Sequence, residues 1–124
     1  MVREDKLHWE LLNNEVRRVV RDNADGSVTL ITRFRTISNE LIFTNVYWAE
    51  KLELLAGEVI NYVQDVAPDS VTAEMSERLK TEYSPDFTPN DIANGSKRLY
   101  RLVCNRNQSE FFLIAGNMNI RING

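Results

Sequence analysis

Arginine gives this sequence its chemical leaning. Eleven arginines stand against four lysines, and most of them fall where β-branched neighbours read as strand: Arg17, Arg18, Arg21, Arg33, Arg35, Arg98, Arg101, Arg106 and Arg121. A guanidinium presents a planar fork of donors that matches a carboxylate or a phosphate, which an ammonium point charge does not. Arg33, Arg35, Arg98 and Arg101, with Tyr100 beside the last two, are therefore the candidate ligand-binding residues. Their expected ligand is an anionic small molecule or an acidic protein surface. The competing reading makes these arginines a solvated outer face that pairs across strands with Glu15, Asp22 or Glu110.

Other chemistry is poorly provided for. His8 is the only histidine and Cys104 the only cysteine, so a Ser-His-Asp triad, a zinc centre of several His or Cys ligands and an intrachain disulfide have no residues to build them. His8 beside Trp9 reads as a surface or packing residue, and Cys104, inside an apolar run, as a small buried hydrophobe. Glu50 with Glu53, and Glu74 with Glu77, are spaced to share a helix face, but on the polar side of each helix they read as solvated. No phosphate-cradling GxxxxGK[ST], dinucleotide GxGxxG or nucleophile-elbow GxSxG occurs. No catalytic residue, metal ligand or cofactor is assigned, and the balance leans away from an enzyme.

Charge is unevenly spread. Residues 40–91 hold eleven acidic side chains against Lys51, Arg78 and Lys80, whereas the flanks hold twelve basic against seven acidic. An acidic middle and a basic pair of flanks suggest complementary surfaces that steer association, including that of a homodimer. The net charge of −3 and pI of about 5.2 oppose nonspecific attraction to a polyanion. Arg98-Leu99-Tyr100-Arg101 alternates cation and aromatic as a base-stacking sheet would, yet single-stranded nucleic acid ranks last among the partners.

The elements that must position these residues follow from periodicity. Glu15–Asp22 and residues 27–37 read as a hairpin about Asp25-Gly26. On its second strand Val28, Leu30 and Phe34 share the core face, while Thr29, Ile31, Arg33 and Arg35 share the other. From Asn45 to Val66 apolar residues recur at steps of three and four, which predicts an amphipathic helix of about five turns ending at Pro68, with Gly57 inside it. A second helix opens at Asp69 or Ser70 and carries Val71, Met75, Leu79 and Tyr83 as its stripe. Thr88-Pro89-Asn90-Asp91 is a capping-box pattern. Residues 101–124 read as strand, turn, strand, tight turn, strand; in the N-terminal dozen Leu7, Leu11 and Leu12 suit a short helix, the reading preferred, and Leu7, Trp9 and Leu11 a strand.

The expected fold is thus one α+β domain over residues 1–124, an antiparallel or mixed sheet of about five strands with a helical layer inserted between N-terminal and C-terminal strands. The order of strands, helices and strands is also that of PAS-like sensor domains, which makes a pocket between sheet and helices, in a sensor or an enzyme, the second functional reading; it rests on element order and on no residue motif. With 43% apolar and 27% charged residues the chain has the make-up of a globular domain. No apolar run approaches the roughly 20 residues of a membrane span and the N-terminus is charged from Arg3 onward, so the expected location is the cytoplasm.

Overall fold

The computed structural model describes residues 4–123. Residues 1–3 and 124, which belong to the segments read as an N-terminal helix and a last strand, lie outside the described residues. Seven strands form one sheet, every pairing antiparallel: β1 (Lys6–His8), β2 (Glu15–Asp22), β3 (Ser27–Phe34), β4 (Ile37–Ala49), β5 (Ile60–Val66), β6 (Arg98–Cys104) and β7 (Glu110–Arg121). Their order across the sheet is β1-β5-β6-β7-β4-β3-β2. A single α-helix, α1 (Ala73–Glu82), and four short 3-10 turns complete the described chain. The fold is therefore mostly antiparallel β, and the expectation of about five strands beneath a helical layer is corrected.

The largest correction concerns residues 45–66. Trp48 belongs to β4, which ends at Ala49, Leu52–Leu55 is one 3-10 turn, and Ile60–Val66 is β5. The three-and-four spacing arises because each piece meets a separate demand of the core. Leu52 and Leu55 both plug the interior from the 3-10 turn, where residues three apart eclipse. Gly57 then reverses the chain at φ +89°, a conformation that suits glycine. Ile60, Val63 and Val66 are buried in a strand where β-branched side chains pack well.

Three further segments differ from expectation. The strand read over residues 27–37 turns after Phe34, with Arg35 and Thr36 as a two-residue loop between β3 and β4. Near the N-terminus Lys6–His8 is a strand rather than a helical turn, drawn into the ladder by β5. At the other end β7 runs unbroken for twelve residues. Its Gly116 makes no turn: a Cβ there would stand 3.0 Å from the Cβ of Asn45, so the glycine permits a close approach to β4.

The sheet curls until its two ends meet. Backbone bonds join residues 13–16 to residues 57–60: Asn13 N–H to the Ile60 carbonyl, Ile60 N–H to Asn14, Val16 N–H to Glu58 and Gly57 N–H to Val16, all at 2.8 Å. Inside this near-barrel lie Val16, Leu30, Leu41, Phe43, Leu52, Leu55, Leu102 and Leu113, each fully buried. Val28 and Leu30 face this core as their parity requires, whereas Phe34, expected beside them, is exposed at the end of β3. A second core forms outside the sheet, where α1 seats Leu79, with Met75 and Tyr83 of its expected stripe, against Leu99, Phe112 and Ile114. Thr72, rather than Asp69 or Ser70, caps that helix by accepting from the Met75 N–H at 3.1 Å, which leaves Val71 before it, and Thr88 with Asp91 forms the capping box foreseen there. No helix among the described residues is long and apolar enough to cross a membrane.

Candidate functional site

Strand pairing and packing first offset part of the charge segregation seen along the sequence. Because β4 pairs β7 and β5 pairs β6, the acidic middle meets the basic flanks within the chain: Glu40 binds Arg121 at 3.1 Å, Asp65 binds Arg98 at 2.7 Å, and Glu53 binds Arg21 at 2.8 Å. The picture of an acidic helical layer opposite a basic sheet is corrected accordingly. What matters for binding is which cations these pairs leave uncommitted.

The sequence-predicted residues separate into three places. Arg101, on the outer face of β6, donates through Nε to Glu110 at 2.5 Å and through a second nitrogen to the Tyr62 hydroxyl at 3.1 Å and to Gln64 at 3.2 Å. Burial works against its charge, but the hydrogen bonds to Glu110 and Tyr62 outweigh it and raise its pKa. Arg98 and Tyr100 lie on the opposite, inner face of β6, in line with buried Leu102 and Cys104. Arg33 and Arg35 stand at the β3–β4 turn, with β7 and β4 between them and β6. The structure brings Arg98 to Tyr100, and Arg33 to Arg35, but does not bring the two pairs together.

Around Arg33 and Arg35 the chain builds a groove of about 470 Å³. Arg35 opens the two-residue turn at φ +59°, where hairpins of this kind usually place glycine. Its carbonyl accepts from Arg33 Nε at 2.9 Å, which fixes the Arg33 side chain, while its own guanidinium lies 5.2 Å from the centre of the Phe34 ring. Across the groove Arg17, set off by a bulge in β2, binds Glu15 at 2.6 Å. Asn13 and Val59 supply the floor from the segments that close the barrel. Three guanidinium groups thus face one carboxylate, an arrangement suited to holding an anion.

Glu50 and Glu53, which a helix would have paired, are instead tied to arginine. Glu50 takes two bonds from Arg78, at 2.8 and 3.0 Å, and one from the Phe112 N–H at 2.9 Å. Among the described residues no group of three or more His, Cys, Asp or Glu could hold a metal ion. Sequence reasoning missed the company that Arg98 keeps: Lys6, His8 and Asp65 share its cavity. The alternation Lys6-Leu7-His8 was the available signal for β1, and Asp65 was hidden by the helical reading of its strand.

Cys104 is fully buried on the inner face of β6. Loss of solvation, with the nearby Glu58 carboxylate adding to it, pushes its thiol up to about 11. The unfolded thiol ionises near 9.0, so between those values the unfolded state binds fewer protons. The contribution is intact below pH 9 and is lost as pH rises through 11. Urea unfolding at pH 8 and pH 10.5 should show the wild type losing on the order of 1–2 kcal/mol more than Cys104→Ala. Equal losses in the two proteins would refute this account of the thiol.

Compared with protein-family models, with curated proteins and with solved structures, the chain matches none.

Proposed function

We propose that this protein is a binding domain whose groove at the β3–β4 turn receives an anionic small ligand, with Arg33 and Arg35 as its principal cations. One observation carries the reading. Among the described residues Arg17, Arg21, Arg78, Arg98, Arg101 and Arg121 each have a carboxylate partner within ion-pair distance, and Arg33 and Arg35 have none. Of the uncommitted arginines these two share a concave site. A left-handed backbone at a residue other than glycine costs about 1 kcal/mol or more, and at Arg35 it is spent on a cation.

The test is titration of the wild type and an Arg33→Glu, Arg35→Glu double variant with citrate and inorganic phosphate at low salt. The expected result is wild-type binding that weakens as salt is raised, with affinity at least about ten-fold lower in the variant. Equal affinities would remove the groove from consideration. Exposed Phe34 and Ile37, a cross-strand pair beside the two arginines, favour an acidic protein surface as the second reading, since aromatic residues and arginine are enriched where proteins meet. If that surface belongs to a second copy, native mass spectrometry shows a dimer for the wild type and a monomer for the double variant. A lone buried thiol fits a reducing compartment such as the cytoplasm.

A further inference from the structure

A second cavity, remote from the groove, opens on the inner face of the sheet where β1 joins β5. Its walls come from Lys6 and His8 of β1, Asp65 of β5, and Arg98 and Tyr100 of β6. The register explains why they converge. Lys6 lies opposite Asp65, His8 opposite Val63, and Asp65 opposite Tyr100, and Val63 and Tyr100 both face the core. Asn117 of β7 adds an amide at the rim.

Asp65 is the unusual member. Its side chain is only 10% exposed, and its Oδ2 binds Arg98 at 2.7 Å. Its Oδ1 is shielded from solvent and has no hydrogen-bond partner among the described residues. A buried carboxylate oxygen left without a donor is costly, and such orphans call for an occupant. The Asp65–Arg98 pair is neutral as a unit, so Lys6 gives the cavity an excess of positive charge. One acceptor that needs a donor, next to cations that need an anion, describes the two ends of one small molecule.

We propose that this cavity binds a small acid bearing a donor beside its carboxylate, an α-amino acid or α-hydroxy acid. The ligand's ammonium or hydroxyl donates to Asp65 Oδ1, and its carboxylate lies against Lys6 and the remaining N–H groups of Arg98. The volume of about 230 Å³ leaves room for a compound of that size. Because Oδ1 is shielded in the unliganded chain, the ligand must displace part of the cavity wall to reach it, and β1 is the part least tied down. Lys6 is exposed, and β1 is a three-residue edge strand paired to β5 alone.

The experiment is a titration of the full chain with glycine, serine, glutamate and lactate, each followed by backbone amide NMR shifts, with acetate and methylamine as controls. The expected result is that at least one of the four binds with Kd of about 1 mM or tighter and about ten-fold more tightly than either control, moving the amides of residues 6–8, 65 and 98–100. Asp65→Asn should weaken that binding about ten-fold. Should this variant fail to fold, Lys6→Ala, a change at an exposed side chain, should weaken it about three-fold or more. The Arg33→Glu, Arg35→Glu protein should bind the same ligand unchanged, which separates this site from the groove. Absence of binding by all four compounds, binding no tighter than acetate, or affinity that survives the folded Asp65 or Lys6 variant would overturn the proposal.

Discussion

Phe43→Ala should destabilise the protein by about 3–5 kcal/mol, visible as a lower urea midpoint with an unchanged slope. Phe43 is fully buried on the inner face of β4, between Val28 of β3 and Met118 of β7. Its ring meets Tyr100 edge-on at 5.3 Å from across the interior, a geometry that adds to the area it buries. The hole left by alanine cannot close easily, because β4 is hydrogen-bonded along both of its edges and neither neighbour can shift inward alone. A loss under about 1.5 kcal/mol would mean that the interior repacks freely and that the near-barrel is not a rigid frame.

Glu50→Ala should cost about 2–4 kcal/mol, the larger part from what it leaves behind. Glu50 is 14% exposed and gathers three donors: two nitrogens of Arg78 and the N–H of Phe112. Arg78 also donates to the Glu110 carbonyl at 2.9 Å and lies 4.9 Å from the centre of the Phe112 ring. Together these contacts pin α1 to the ends of β4 and β7, so the alanine variant leaves the Phe112 N–H without its acceptor and Arg78 with Glu110 alone. A cycle with Arg78→Ala should show coupling of about 1 kcal/mol or more. Additive losses would show that α1 is held by Leu79 and its apolar neighbours alone.

Local chemistry was readable in the letters, and long-range closure was not. The β2–β3 hairpin followed from β-branched runs about Asp25-Gly26. The stripe of α1 and the Thr88 capping box likewise needed only residues close in sequence. The helix read over residues 45–66 failed because Leu52, Leu55, Ile60 and Val63 are buried for tertiary reasons, and their spacing imitates a helical period. The site followed the same division. Arginine at positions 33 and 35 was visible as a type, but the groove exists only because residues 13–16 bond to residues 57–60. The partners of Arg98 were beyond reach while β5 was taken for helix, since Asp65 then pointed to solvent.

That closure also covers an edge of the sheet. Residues 6–16 run as a strap along one side of β5, first as β1 and then through the bonds to residues 57–60. Beneath the strap lies Ile-Asn-Tyr-Val-Gln-Asp-Val, a β-prone strand whose other side is already paired to β6. Lifting the strap would bare a row of unsatisfied amides and carbonyls, the template on which strands from separate chains add. Held in place, the strap keeps that row paired within the chain and closed to strand addition.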